Sequence, residues 1–199
     1  ILPIISFQEG VNGYTGTVDT EIDVLQPNSS NGGTEDDVSV DGGAFEKQAL
    51  IRFDNIFGSG ANQIEYGSTI NSATLTFNVT NSTVNGGSEN ITMHAMLVRW
   101  DETSTWNSFS TVGNNTGGVQ TLGGLDAEIT ADSSLGNPKN ATGSKDFSGL
   151  ETTLQSWSDG GTNYGWVILG DSTSTWDFNL SDENVIANRP ILTVDYTSN

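Results

Sequence analysis

Asp19, Glu21 and Asp23 stand at alternate positions in the segment TVDTEIDV. In an extended strand, residues two apart project from one face, about 6–7 Å from each other. That separation suits the acid and the nucleophile or base of a glycoside hydrolase. It also suits calcium, a hard cation that gathers about six to eight oxygens. A third outcome is a solvated face, where gathered cations relieve the repulsion among like charges. A second acidic group, Glu35, Asp36, Asp37 and Asp41, lies beside the Gly32-Gly33 loop. Loop carboxylates and free carbonyls are what calcium sites recruit, although no EF-hand spacing is present. The expected calcium ligands are therefore Asp19, Glu21, Asp23, Glu35, Asp36, Asp37 and Asp41. Asp126, Glu128 and Asp132 form a third group of the same kind.

The aromatic residues offer different chemistry, because ring faces stack on sugars. Trp106 and Trp176 sit in the polar segments ETSTWN and STSTWD, while Tyr14 and Tyr164 adjoin glycines. These four are the expected ligand contacts. Trp100, Trp157 and Trp166 fall within apolar patterns and are expected in the core. The single histidine, His94, sits mid-strand with no partner visible and reads as a satisfied or solvent-facing histidine.

Composition removes other chemistries. Twenty-five acidic residues against six basic ones give a formal charge of -19. Such a surface cannot displace counterions from nucleic acid, nor act as a polybasic membrane anchor. The absence of cysteine excludes a disulfide framework, a thiolate zinc site and a cysteine nucleophile. One histidine excludes a multi-histidine metal centre. No nucleophile elbow, P-loop, dinucleotide fingerprint or metalloprotease helix occurs. Apart from the row at 19–23, nothing asks for a catalytic cleft, so the chain reads as non-enzymatic.

The elements that must position these residues are strands. Gly, Asn, Ser and Thr supply 90 of the 199 residues. They are poor helix formers and good turn formers, which excludes an all-α fold. Residues 17–24 alternate, with Val18, Ile22 and Val24 on one face and the carboxylates on the other. Residues 69–80 alternate with Ala73, Leu75, Phe77 and Val79 facing a core. Further strands are expected at 37–40, 48–54, 90–100, 164–169, 175–180 and 190–197, with a long loop over 105–125. One helix is expected at 147–157, capped by Ser148 with Glu151 three residues later. The pattern predicts one all-β domain over 1–199, a jelly-roll-type antiparallel β-sandwich with a short helix near 148–157. Pro3 makes 1–8 an edge strand, or one that Ile1, Leu2, Pro3, Ile4 and Ile5 carry into a neighbouring copy. No stretch approaches the roughly 20 apolar residues that span a membrane. The start at Ile1 reads as a processed form or an excised piece, with a secreted chain whose signal peptide has been removed as the economical reading.

Eight segments in order carry a family resemblance: SFQEG at 6–10, YTGTVDTEI at 14–22, ALIRFDNI at 49–56, INSATLTFNV at 70–79, VRWDETSTWN at 98–107, FSGLETTLQSW at 147–157, NYGWVIL at 163–169 and NRPILTVDY at 188–196. Together they resemble the DNRLRE-domain family of secreted proteins, which overlaps a class of carbohydrate-binding modules. The resemblance implies a jelly-roll sandwich and a non-catalytic module, with Trp100, Trp106 and Trp157 structural. Family members that bind acidic polysaccharide use a basic surface. Here the cations are only Lys47, Arg52, Arg99, Lys139, Lys145 and Arg189, which points to a neutral or weakly charged glycan. The expected function is extracellular carbohydrate binding or surface adhesion. The alternative is a self-assembling filament or surface-layer subunit, joined by N-terminal strand addition and calcium.

Overall fold

The computed structural model describes residues 3–31, 36–83, 90–109, 117–136, 142–171 and 175–199. Eleven strands and one α-helix occur there: β1 (Ile4–Gln8), β2 (Thr17–Asp23), β3 (Asp37–Val40), β4 (Lys47–Phe53), β5 (Thr69–Thr83), β6 (Ile91–Ala95), β7 (Ser133–Leu135), β8 (Gly143–Ser148), α1 (Glu151–Ser158), β9 (Trp166–Gly170), β10 (Thr175–Asn179) and β11 (Ile191–Thr197). They form two antiparallel sheets packed face to face, an all-β sandwich of the expected class. Among the described residues, no helix is long and apolar enough to cross a membrane.

The first sheet is organised by β5. Along it run β10, with Thr175 opposite Thr83 and Phe178 opposite Val79, and then β11, with Ile191 opposite Thr76 and Thr197 opposite Thr69. β8 pairs with residues 74–79, overlapping both partners, so it must occupy the other edge of β5. β10 and β11 are thus one interrupted strand, and residues 180–190 are an excursion from it. β3 and β1 pair with their outer sides. The second sheet has the order β2-β4-β9-β6-β7.

The alternation of β5 holds. Ala73, Leu75, Phe77 and Val79 are buried between the sheets with Phe147, Trp176 and Phe178. From the second sheet they meet Ala49, Ile51, Met93, Trp166 and Ile168. A second apolar cluster lies on the outer face of that sheet. Ile22, Leu50 and Val167 are covered there by Met96, Trp100, Trp106, Val119 and Ala127. The cover is pinned by polar contacts to the sheet. Gln48 exchanges two hydrogen bonds with the Val119 backbone, and Trp100 Nε1 donates to the Tyr164 carbonyl at 2.6 Å. Burial on both faces explains why the run at 164–169 is continuously apolar rather than alternating.

Two local expectations change, and a third takes one of its two expected forms, the edge strand. Residues 96–100 leave the sheet after Ala95 and enter the covering segment. Phe147 and Ser148 belong to β8, so Ser148 does not cap the helix; Leu150 is its N-cap and its carbonyl accepts Leu154 N–H at 3.1 Å. Pairing with β5 buries Phe147, and that gain outweighs the capping signal. The N-terminal segment has a home in its own molecule: β1 pairs with β11 from Ile4 opposite Asp195 to Gln8 opposite Ile191. Ile4 is exposed there, Ile5 is partly buried and Phe7 is buried. Ile1 and Leu2 lie outside the described residues.

Candidate functional site

Cross-strand register decides where the acidic row points. Asp19 lies opposite Ile51 and Glu21 opposite Ala49, and directly opposed residues share a face. Ile51 and Ala49 belong to the core between the sheets. The carboxylates therefore enter the edge of the sandwich, and the expectation of a solvated face is overturned. Asp19, Glu21 and Asp23 are 1%, 5% and 5% exposed. The apolar residues Val18, Ile22 and Val24 face outward, where the covering segment buries Ile22 and leaves Val18 and Val24 partly buried.

Each buried carboxylate has donors. Asp19 Oδ2 accepts Ser181 N–H at 2.9 Å, and Oδ1 accepts the Ser181 hydroxyl at 3.1 Å. Glu21 Oε2 accepts Ser39 N–H at 2.7 Å; Oε1 accepts Lys47 Nζ and Asn31 Nδ2, both at 3.0 Å. Asp23 Oδ1 accepts Leu25 N–H at 2.7 Å, and its Oδ2 lies 3.7 Å from Lys47 Nζ. Ser39 is in β3, an edge strand of the opposite sheet, and Ser181 is in the excursion that follows β10 of that sheet. The row thus laces the two sheets along one side, using backbone donors that edge strands would otherwise leave open. Burial raises the Asp19 carboxyl to about 7, against the lowering by its two Ser181 bonds, while Asp182 and Glu102 add repulsion. Burial also pushes Glu21 upward, against Ser39 and Lys47.

The second acidic group is dispersed. Asp41 accepts the Thr175 hydroxyl at 3.0 Å, Asp36 accepts Asn184 Nδ2 at 3.4 Å, and Asp37 opens β3 at an exposed position. Glu35 lies outside the described residues. In the third group, Asp126 accepts Gln120 N–H at 3.0 Å, and Asp132 accepts both Thr153 Oγ1 and Trp166 Nε1. Among the described residues, no three His, Asp or Glu side chains are grouped as a metal site would need. His94 is satisfied through Glu128 O at 2.9 Å and Thr92 Oγ1 at 3.0 Å.

The aromatic candidates divide. Trp106 and Trp176 are 3% and 1% exposed, so neither offers a ring face to a ligand. Their polar neighbours in sequence misled, because a strand register and a covering loop bury single residues whatever flanks them. Trp100, Trp157 and Trp166 are core residues as expected. Tyr14 and Tyr164 are half-buried and line clefts.

The cleft at Tyr14 is about 280 Å³ and is framed by Ile5, Phe7, Asn12, Asn55, Asn62 and Gln63. No charged side chain lines it. Tyr14 packs on Phe7 at 5.4 Å and stacks on Phe53 at 6.4 Å, and its hydroxyl donates to Asp54 O at 2.9 Å. Burial, then Asp54 and Glu9, push the phenol upward, so it stays a neutral donor. Asn12 and Asn55 have φ of 52° and 58°, and among the described residues they alone besides glycines adopt the left-handed backbone. Both are held by neighbours: Asn62 Nδ2 donates to Asn12 O at 3.2 Å, and Gln63 Nε2 to Asn55 O at 2.8 Å. Backbone in this sparsely populated region concentrates where ligands are clamped. Their own side-chain amides have no hydrogen-bond partner among the described residues, leaving donors and acceptors directed to solvent. The signal at Asn12 was its Asn-Gly pair, a turn marker; Asn55 carried none.

No protein-family model matches the chain, and no curated protein matches its sequence.

Proposed function

We propose that this chain is a non-catalytic extracellular module that binds a neutral carbohydrate at the Tyr14 cleft. One observation carries the reading: in a chain of charge -19, this cleft is uncharged and presents two unpartnered amides beside a tyrosine. Amides donate and accept at once, as sugar hydroxyls require, and an aromatic ring meets the apolar face of a pyranose. A cleft of this size takes one or two sugar units.

Asn12→Gly with Asn55→Gly tests it cleanly, because glycine keeps the left-handed backbone while removing the amide. The double variant is expected to keep the wild-type melting temperature and to lose neutral-glycan affinity by about tenfold or more in calorimetry. Unchanged affinity in a folded variant removes the cleft from the reading.

The self-assembly reading has its own supporting observation. β1 is the outermost strand beside β11 and holds one neighbour, so exchange into another copy disrupts a single ladder. Deleting residues 1–6 then abolishes any oligomer seen by light scattering; a monomer with and without those residues removes the reading. Calcium is tested in the same samples. A melting temperature raised by calcium and lowered by chelator supports a cation role, and an unchanged one argues against it.

A further inference from the structure

The Tyr14 cleft has neighbours. Asn55 also lines a cleft of about 290 Å³ whose wall includes Tyr66. Trp157 and Thr162 are shared between that cleft and a third of about 550 Å³, which Tyr164 lines. All three are lined by segments at one end of the second sheet, joined by β1 of the first sheet in the Tyr14 cleft and by α1 in the other two. β2 and β9 begin there, and β4 and β6 end there, as their antiparallel pairing requires. Loops on the end of a rigid sheet are where binding residues concentrate.

Each cleft carries one tyrosine. Tyr66 is 62% exposed, and its ring is backed by the buried Phe57 at 5.8 Å with an interplanar angle of 28°. One face is thus supported by Phe57 while the side chain remains open to solvent. No Lys, Arg or His lines any of the three clefts. The carboxylates that do, Asp54, Glu128 and Asp132, would repel an anionic polymer. Asp54 is held by Arg52 at 2.6 Å, and Asp132 by Thr153 at 2.7 Å and Trp166 at 2.8 Å. The remaining polar groups are amides and hydroxyls, including Asn163, Thr152 and Ser156.

We infer that the three clefts form one groove for a linear neutral polysaccharide, with Tyr14, Tyr66 and Tyr164 contacting successive sugar units. This rests on the neutral-glycan reading above and adds that the ligand is a chain, not a free sugar. Contacts along a chain accumulate, so affinity grows with length until the groove is filled.

Calorimetric titration of the full chain with neutral gluco-, manno-, xylo- and galacto-oligosaccharides of two to six units tests the inference. The best-bound series is expected to gain at least about tenfold in affinity from disaccharide to hexasaccharide. Tyr66→Ala, at an exposed position, is expected to bring the hexasaccharide affinity down towards that of the disaccharide while the melting temperature stays within a few degrees. Binding of equal strength at every length, or a hexasaccharide affinity unmoved by Tyr66→Ala, overturns the groove while leaving the Tyr14 cleft in place. No binding at any length overturns both.

Discussion

Replacing Glu21 with alanine is expected to lower stability by about 3–5 kcal/mol, the usual cost of removing one partner of a buried ionic cluster. The loss is large because three donors converge on this one carboxylate. Ser39 N–H would lose its acceptor in β3, and Lys47 and Asn31 would lose the oxygen that orders them. Lys47 is partly exposed and recovers water, so the cost falls mainly on Ser39 and on the vacated space. For a chain of this size, the melting temperature should fall by about 10 °C. Glu21→Gln keeps an oxygen for Ser39 and should cost less than half as much. A loss below about 1 kcal/mol for Glu21→Ala would mean that the row does not hold the sheets together.

The protein is also expected to be more stable at pH 5 than at pH 8. In the unfolded chain Asp19 ionises near 3.8; in the fold burial raises it to about 7. Between those values the folded state holds a proton that the unfolded state has released. The associated stability is fully present below about pH 4 and is lost as pH rises through about 7. The displacement caps the contribution of Asp19 at about 4 kcal/mol. The charged groups facing it, Asp182 and Glu102, are both acidic, and Glu21 and Glu102 are themselves pushed upward chiefly by burial, so they act in the same direction. Overall self-repulsion at a charge of -19 adds to this. Asp19→Asn separates the local part from the global one: its amide can still pair with Ser181, and the difference between pH 5 and pH 8 should shrink. Denaturant unfolding of both proteins at the two pH values measures this. Greater wild-type stability at pH 8 would contradict a buried, protonatable Asp19.

Much of the sandwich was legible in the sequence because strand alternation is a strong signal. The β5 pattern at Ala73, Leu75, Phe77 and Val79 gave the buried face directly. The same signal at 17–24 sets the carboxylates against Val18, Ile22 and Val24 without telling inside from outside. Alternation separates two faces but does not say which is inside; here β2 is an edge strand whose apolar face is buried under a loop. That cover sits far along the chain, within 96–109 and 117–127, and no local pattern announces what it covers. Trp106 and Trp176 failed for the same reason. At the candidate site, Tyr14 and Tyr164 were visible beside their glycines. Asn12, Asn55 and Tyr66 were not, because they come together only when the loops at one end of a sheet are folded against one another.

Amide chemical-shift mapping with a neutral hexasaccharide locates the binding face, since it reads the whole chain at once. Shifts are expected at Asn12, Gly13, Asn55, Tyr66 and Thr162, with the seam amides of Leu25, Ser39 and Ser181 unmoved. Shifts gathered on the seam, or none at saturating neutral sugar, would contradict neutral-glycan binding at that face.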